Sequence, residues 1–331
     1  MRFFVKILGV AILLQLSGCA SKPTHPDWVD GDDIKYAKTQ YLIGRGQGAT
    51  LEQAKDRAHA DLAEIFKVAI KVDSVDVQKF KSNTGQLTVE SSRRITTSTE
   101  QIIRGIQISE IWHDPLSKNI HVLAILPRAQ AEESLRQQLK QLDEAVQTSV
   151  DKNATNNDML LKIATLSKTT ELQVERQDQQ RVLQVVDVTG RGIESKYNSA
   201  KFKLELDELL KRVRISPKVL EGSARGLEEI LTGALAKAGY SVDMGASPQY
   251  YLKASLKLSD LGIIEGWYWQ RGSLEISVSE ANTGRVWGAK RWPIKSSAKD
   301  RAGAIKRALD EADLVLKSEL AATIIGMASS Q

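Results

Sequence analysis

The segment YLIGRGQGATLEQA, residues 41–54, predicts the order of elements at the start of the folded N-terminal half. Tyr41–Gly44 is an apolar run of strand length, and the glycine-rich segment 44–48 predicts a turn directly after it. Thr50 is followed three residues later by Gln53, the spacing of a capping box, which predicts the start of a helix. The order is therefore strand, turn, helix.

The helix that begins after Thr50 is predicted to be amphipathic, because apolar residues recur at helical spacing: Leu51, Ala54, Ala58, Leu62, Ile65 and Phe66. Beyond it, residues 68–77, 87–97, 102–112 and 120–126 alternate with the period of half-buried strands. Asp114-Pro115 and Lys118-Asn119 predict a hairpin turn before the last of these strands. Residues 34–127 are thus predicted to form a first α+β domain.

Residues 128–192 have a helical pattern. Apolar residues follow three- and four-residue steps up to Val150, and a second helical stretch runs from Met159 to about residue 188. The middle of this second stretch, residues 175–181, is polar, so the helix needs a partner or an exposed position. Gly190 and Gly192 predict its end. The segment is predicted to be a helical hairpin or stalk.

Residues 193–331 are predicted to form a second α+β domain. Residues 197–211 fit either a helix or a strand, and strands are predicted at 212–216, 250–258, 268–280 and 285–294. Helices are predicted at 223–238 and 298–325. The whole chain is therefore expected to be α+β, with two small antiparallel-sheet domains and packed helices, joined by the helical hairpin or stalk.

The N-terminus has the pattern of an export signal. Arg2 and Lys6 precede an apolar run at 7–14 that is too short to cross a bilayer permanently. The run leads into Leu16-Ser17-Gly18-Cys19, which resembles the lipobox of bacterial lipoproteins, and Cys19 is the only cysteine in the chain. The resemblance implies removal of a signal peptide, residues 1–18, and acylation of the Cys19 thiol. Residues 19–33 are polar and are predicted to be a tether.

The residue after Cys19 bears on the destination of the chain. In Gram-negative lipoproteins, an aspartate at this position resembles the signal that retains the protein in the inner membrane, and Ala20 departs from it. We therefore expect a lipid-anchored protein on the periplasm-facing side of the outer membrane.

Three segments together resemble the lipoprotein-20 family of bacterial outer-membrane lipoproteins, over about residues 25–130. They are His25-Pro26-Asp27-Trp28-Val29, the run from Tyr41 to Gly46, and the helix start from Thr50 to Ala54 with Ala58–Leu62. The family is similar to flagellar assembly lipoproteins, and the resemblance implies no catalytic residues. Residues 150–331 resemble periplasmic assembly lipoproteins only in the order of their predicted strands and helices.

The chain contains few candidates for catalysis. Gly44-x-Gly46-x-x-Ala49 imitates a dinucleotide fingerprint, but the predicted strands that follow are antiparallel, so a strand-to-helix turn is favoured. Arg45 could hold an anion there as a minor hypothesis. No catalytic residue, metal site or cofactor is predicted, although a hydrolase with an unrecognised site stays an alternative. The formal net charge of +5 is too mild to indicate nucleic acid binding.

The aromatic residues of the second domain are the strongest candidates for partner binding. Trp267 and Trp269 lie two residues apart on a predicted strand, so they share a face, and Arg271 follows on the same face. Trp287, Arg291 and Trp292 lie on the next strand. Cross-strand packing over the final helix is one interpretation; an exposed patch for a protein, glycan or anionic lipid partner is the other.

The sequence therefore favours a non-enzymatic structural or assembly factor of the cell envelope, with association with the flagellum as one option. The alternative is a regulatory lipoprotein that binds peptidoglycan or an envelope enzyme. The expected partners are the lipid anchor in the outer membrane together with envelope proteins or peptidoglycan, and homo-oligomerisation is left open.

Overall fold

A computed structural model describes residues 25–31, 35–78, 105–242, 245 and 247–330, with only the backbone for 68–78. The chain divides into two compact units. The first consists of Met1–Ile65 and Ile103–Ala129, and the second of Phe66–Ile102 and Gln130–Gln331. Each unit contains one of the two described sheets, so the α+β fold predicted from the sequence is confirmed.

The first unit is built on a three-stranded antiparallel sheet of order β1-β3-β2. Its strands are β1 (Tyr41–Gly48), β2 (Gln107–His113) and β3 (Ile120–Pro127). A short helix, α1 (Asp27–Asp30), precedes the sheet and buries Trp28, and helix α2 (Leu51–Gln78) follows β1. The central strand β3 has five consecutive buried residues, as expected for a strand covered on both faces.

The turn predicted at Gly44–Gly48 is wrong, because these residues continue strand β1 and pair with β3 along its whole length. A Cβ atom added to Gly46 would lie 2.0 Å from the Ala54 carbonyl oxygen, and one added to Gly44 would lie 2.4 Å from the Ala58 carbonyl oxygen. The glycines therefore provide room for the backbone of helix α2 and are not needed for a turn.

The strand predicted at residues 68–77 is also wrong, since helix α2 continues through them to Gln78. The apolar residues of this segment fit both periods: helical spacing is met by Val68, Val72 and Val75, and strand spacing by residues 68, 70 and 72. In addition, no glycine or proline occurs between Leu51 and Gly85 to end the helix. Continuing a helix through β-branched residues costs only a few tenths of a kcal/mol per residue. The strand predicted at 87–97 lies outside the described residues.

The second unit begins with two long helices, α3 (Arg128–Thr155) and α4 (Met159–Val186). The Asp158 carboxylate starts α4, because it accepts hydrogen bonds from the backbone N–H groups of Leu160 and Leu161 at 2.8 and 3.1 Å. Helix α4 packs against the next helix, α5 (Ser199–Arg212), which settles the ambiguity at residues 197–211 in favour of a helix. The helical pair and the second sheet belong to one compact unit, whose boundary does not coincide with the one predicted at 192/193.

The second sheet has five strands in the order β5-β4-β6-β7-β8. They are β4 (Arg214–Val219), β5 (Ser241–Val242), β6 (Tyr250–Ile264), β7 (Trp267–Glu280) and β8 (Val286–Ala298). Strand β4 runs parallel to β5 and β6, whereas β6, β7 and β8 are antiparallel, so this sheet is mixed. Strand β6 is six residues longer than the sequence pattern predicts, and β8 also extends further.

The core of the second unit lies on one face of this sheet. Helices α6 (Leu227–Lys237) and α7 (Arg301–Ser329) pack there, against residues such as Leu252, Leu274 and Ile276. Alternate residues of β6, β7 and β8 point to the opposite face, which is polar and largely accessible. None of the described helices combines the length and the apolar character that crossing a bilayer requires.

Candidate functional site

The six residues predicted for partner binding lie on strands β7 and β8 but do not form one surface. Trp267, Trp269 and Arg271 alternate along β7 on the face away from helix α7, and Arg291 on β8 joins them. Trp292 points to the core face, where it lies opposite Leu274. Trp287 is also part of the core.

Trp292 is held against helix α7 by a polar contact. Only 8% of this residue is exposed, and its Nε1 donates a hydrogen bond to Glu319 Oε2 at 2.9 Å. Lys290 Nζ lies 2.7 Å from the same carboxylate oxygen and 4.8 Å from the centre of the Trp292 ring. Both hydrogen bonds lower the pKa of the Glu319 carboxyl group, and the bond from Lys290 has the larger effect. Trp292 therefore links β8 to α7.

Trp287 is 3% exposed and meets Tyr250 edge-to-face, with the ring centres 6.5 Å apart. Trp287 is the extra residue of a bulge in the pairing of β7 and β8, because Val278 pairs with Gly288 while Ser279 pairs with Val286. The bulge interrupts the alternation of the strand, so Trp287 lies on the core side. For Trp287 and Trp292, the structure thus matches the packing interpretation.

The remaining predicted residues lie on an accessible, positively charged face of the sheet. We call it the basic face and define it by the outward-pointing cations of β4, β6, β7 and β8: Lys218, Lys253, Lys257, Arg271, Arg291 and Lys295. Glu275 lies on the same face and pairs with Arg291, with Nη2 at 2.8 Å from Oε2. Cations thus outnumber carboxylates on this face.

Lysines lie over the accessible tryptophans at one end of the basic face. Lys299 Nζ is 4.0 Å from the centre of the Trp267 ring, and Lys295 Nζ is 4.7 Å from that of Trp269. Such cation–π contacts keep an ammonium group beside an aromatic surface. The indole N–H of Trp269 is buried without a hydrogen-bond partner. Together, these residues offer flat apolar rings and positive charge to a partner.

Sequence reasoning identified Trp267, Trp269 and Arg271 from the strand period, but it missed the contribution of Lys218 and Lys253. These two residues are neighbours in the parallel pairing of β4 and β6, and Lys218 Nζ lies 3.5 Å from the Tyr251 ring centre. Lysines at alternate positions of β4 and β6 indicated that each strand has a charged face. That the two strands are neighbours, however, follows from the strand order, which the sequence did not reveal.

The other residues considered for chemistry lie in the first unit. Arg45 Nε donates to the Trp28 carbonyl oxygen at 2.6 Å, and its Nη2 donates to the Gly31 carbonyl oxygen. Its guanidinium therefore holds the segment around α1 on the sheet. The first unit also contains two histidines on neighbouring strands. His113 lies opposite Ile120, whereas His121 lies opposite Trp112, so the two histidines point to opposite faces. Among the described residues, no group of three or more potential ligands could hold a metal ion.

A groove of about 620 Å³ runs between β8 and α7 and is lined by small residues, including Gly288, Ala322 and Gly326. Its charged lining residues, Lys290 and Glu319, form an ion pair with each other. Cys19 and the rest of the predicted signal and lipobox lie outside the described residues.

Three of the solved structures that this chain is similar to are distant likenesses. The secreted protein HP1454 from Helicobacter pylori is 12% identical, with 84% of this chain and 96% of that chain covered and a TM-score of 0.44. A minor lipoprotein from Acinetobacter baumannii is 13% identical, with coverages of 37% and 93% and a TM-score of 0.25. The rare lipoprotein B from Shewanella oneidensis is 15% identical, with coverages of 35% and 94% and a TM-score of 0.21. At these TM-scores, the likenesses carry no functional argument.

A search of curated proteins found no match to this chain. A scan of protein families matched the model of the LPP20 lipoprotein family over residues 26–127. This range contains the described strands and helices of the first unit and indicates a bacterial lipoprotein. The family resemblance predicted from the sequence is therefore confirmed, because residues 26–127 match the model of the LPP20 lipoprotein family.

Proposed function

We propose that this chain is a non-enzymatic assembly factor of the bacterial cell envelope, anchored by lipid to the periplasm-facing side of the outer membrane. In this proposal the first unit follows the lipid anchor in the chain, and the second unit binds an acidic envelope protein through the basic face. The observation that carries the proposal is the accessible sheet face on which lysines lie over Trp267 and Trp269.

The location is supported by the N-terminal sequence together with the family match. Cys19 ends a lipobox-like segment, and the family region begins at residue 26, only a few residues later. Acyl chains on Cys19 would supply the anchor, since each buried CH₂ contributes about 0.8 kcal/mol to membrane binding. Ala20 favours transfer to the outer membrane over retention in the inner membrane.

The chemistry of the basic face fits a protein partner. Tryptophan and arginine are enriched at the centres of protein interfaces, where they provide large contact areas and several hydrogen-bond donors. The excess of cations favours a partner with an acidic surface, because complementary charge accelerates association and excludes wrong partners. The family resemblance to flagellar assembly lipoproteins makes a flagellar partner the first one to test.

The anchor is tested by two substitutions and membrane fractionation. We expect Cys19→Ser to produce an uncleaved or soluble form, because the acceptor thiol is lost. We expect Ala20→Asp to move the mature protein from the outer to the inner membrane. Unchanged membrane association of Cys19→Ser would contradict the anchor, and an unchanged outer-membrane position of Ala20→Asp would contradict the proposed sorting.

The partner is tested by crosslinking in living cells. We expect a crosslinked protein that is lost when Arg271 and Lys295, which are cross-strand neighbours, are both changed to Glu. Lys203→Glu and Lys237→Glu, on the exposed surfaces of α5 and α6, provide a matched control and should retain the crosslink. A strict monomer with no co-purifying partner would contradict an assembly role.

A second candidate function is peptidoglycan binding, which the accessible rings of Trp267 and Trp269 favour because aromatic faces stack on sugars. Sedimentation with purified sacculi separates the two functions. Binding to sacculi that disappears in Trp267→Ala and Trp269→Ala would favour the peptidoglycan function, whereas the protein-partner proposal predicts crosslinks without sedimentation.

A further inference from the structure

The hairpin formed by β6 and β7 ends in a cluster of accessible apolar residues. The turn residues Glu265 and Gly266 have φ values of 51° and 77°, and two positive values are typical of a type I′ turn, whose twist matches the strands it joins. We define the apolar tip as the large apolar residues around this turn, with their exposed fractions: Leu261 45%, Ile263 72%, Ile264 48% and Trp267 36%. The turn thus fixes an apolar end on a regular hairpin.

The apolar tip is exposed on both faces of the hairpin. Ile264 lies opposite Trp267, and Ile263 lies opposite Tyr268. Successive residues of a strand point to opposite faces, so Ile263 and Ile264 cannot both be covered by a partner laid flat against the basic face. A medium that surrounds the end of the hairpin covers both residues. Lipid is such a medium.

The hairpin also extends far beyond its neighbour on one side. The pairing of β4 with β6 ends at Ala254, and the last backbone hydrogen bond on that edge joins Ala224 N–H to the Leu256 carbonyl oxygen. In the part of the chain that the structure describes, no strand pairs with the outer edge of β6 from 257 to 264. At about 3.3 Å per residue, these eight residues span about 26 Å.

This reach suits shallow insertion. Interfacial segments bury their apolar side chains about 5–10 Å into the boundary between headgroups and acyl chains. A free strand edge cannot enter the hydrocarbon itself, because its unpaired N–H and C=O groups would lose water without compensation. Only the turn and the apolar side chains beside it can therefore enter, while the rest of the edge stays hydrated.

Positive charges lie immediately behind the apolar tip. Lys299 and Lys295 lie over Trp267 and Trp269, and no described carboxylate forms an ion pair with either lysine. Arg301 pairs with Asp260 at 3.3 Å, and Tyr268 donates a hydrogen bond to the same carboxylate. Glu265 is the acidic residue of the turn itself. Lysines behind an apolar end are complementary to anionic headgroups, each contributing about 1 kcal/mol near the surface.

We propose that the apolar tip inserts into the headgroup region of an anionic bilayer and gives the second unit its own contact with the membrane. This inference rests on the proposed envelope location but not on the identity of any protein partner. The ring of Trp267 would lie at the interface between the apolar and hydrated layers, with Lys299 beside it to meet a lipid phosphate.

Vesicle flotation tests the inference with the non-acylated chain, residues 19–331 carrying Cys19→Ser. The probe is a set of vesicles of phosphatidylethanolamine with phosphatidylglycerol, compared with vesicles of phosphatidylcholine alone. We expect binding to the anionic vesicles and at least tenfold weaker binding to the neutral ones. Ile263→Ser with Ile264→Ser should weaken binding to anionic vesicles at least tenfold, and Lys299→Gln should weaken it about fivefold.

Matched controls use exposed residues elsewhere in the second unit. Leu204 on α5 and Leu314 on α7 are 66% and 70% exposed, so Leu204→Ser with Leu314→Ser removes similar apolar area and should leave vesicle binding unchanged. Lys203→Gln is the control for charge. Glu265→Lys should strengthen binding, because it removes the acidic residue of the turn. Circular dichroism and thermal unfolding verify that every variant is folded.

Three outcomes would overturn the inference. One is the absence of binding to anionic vesicles by the folded chain. Another is equal loss of binding in the tip and control variants. The third is that the variant Ile263→Ser with Ile264→Ser binds vesicles normally but loses its crosslink in cells. The apolar tip would then bind a protein and not a membrane. If the tip variant loses vesicle binding but keeps the crosslink, the inference is supported. The assembly proposal is then tested separately, by the crosslinking experiment with Arg271 and Lys295.

Discussion

At the scale of single residues, the glycines of β1 act through the space they leave. Gly44, Gly46 and Gly48 lie on the face that meets α2, and a Cβ atom on any of them would come within 3 Å of the backbone of Ala54 or Ala58. None of the three has a positive φ. Their role is close approach of a strand to a helix, which is a property of packing.

Gly46→Ala should therefore destabilise the first unit strongly. The new Cβ would lie 2.0 Å from the Ala54 carbonyl oxygen and 2.3 Å from the Ala58 backbone nitrogen, and a backbone cannot yield as a flexible side chain can. Overpacking of this kind costs about 1–3 kcal/mol, and more where nothing can shift. Hydrogen exchange of peptides from β1 and α2 measures the local loss of stability.

The control for this prediction is Gln47→Ala. Gln47 is exposed and lies next to Gly46 on the other face of β1, so its truncation should change the local stability by less than about 0.5 kcal/mol. Equal hydrogen exchange in the Gly46→Ala and Gln47→Ala variants would show that the glycine is not needed for the approach of the helix.

Some residue-scale features could be predicted from the sequence, and others could not. Thr50 was predicted to cap α2, and its Oγ1 accepts a hydrogen bond from Gln53 N–H at 3.3 Å. A cap depends on residues only three positions apart, so it is visible locally. The inward position of Trp287 depends on a bulge between two strands, which the spacing of its own strand does not reveal.

At the scale of elements, the pairing of α3 and α4 explains a helix that looked too polar to be buried. Arg176 is 1% exposed and donates through Nε and Nη2 to the Asp143 carboxylate at 2.9 and 3.3 Å. Its Nη2 also donates to the Glu194 carbonyl oxygen at 3.1 Å. The sequence correctly indicated that residues 175–181 need a partner, but the partners lie 33 residues before and 18 residues after Arg176.

Breaking this pair from one side should cost more than replacing both partners. We expect Asp143→Ala to lower the free energy of unfolding of the second unit by about 3 kcal/mol, because it leaves the guanidinium of Arg176 buried without its carboxylate. The double variant Arg176→Met with Asp143→Leu should recover most of that loss, since an apolar pair needs no counter-charge. Denaturant unfolding of the two variants measures the difference.

The single variant Asp151→Ala serves as the control, because Asp151 is exposed on the same helix and its carboxylate accepts a hydrogen bond only from Gln147 among the described residues. It should lower stability by less than about 0.5 kcal/mol. If the double variant were as unstable as Asp143→Ala, the charge pair would be stabilising in its own right, and the argument from the buried charge would be wrong.

At the scale of the whole molecule, the two units have separate cores. The main core of the second unit is formed by residues 146–328, from Val146 on α3 to Ala328 on α7. A smaller cluster around Trp28, Tyr36, Leu123 and Ile125 belongs to the first unit. The sequence predicted two α+β domains, but the apolar positions of α3 and α4 did not show that this helical pair would pack into the second core.

A fragment of residues 130–331 should therefore fold without the first unit and without the segment 66–102 of the second. We expect cooperative unfolding and the helical circular dichroism of α3–α7, because every buried residue of the main core is present. A shorter fragment, residues 156–331, lacks Asp143 and Val146 and should be clearly less stable. Equal stability of the two fragments would mean that α3 is an independent stalk, as one sequence-based interpretation had it.

The outer edge of β6, residues 257–264, bears on whether copies of this protein aggregate with one another. A row of backbone N–H and C=O groups without strand partners can pair with a strand of another molecule, and such pairing is the first step of aggregation. The bulge at Leu261 breaks that row, because the pairing with β7 shifts between Asp260 and Gly262 and twists the edge. The bulge at Leu261 therefore disfavours edge-to-edge polymerisation of this protein.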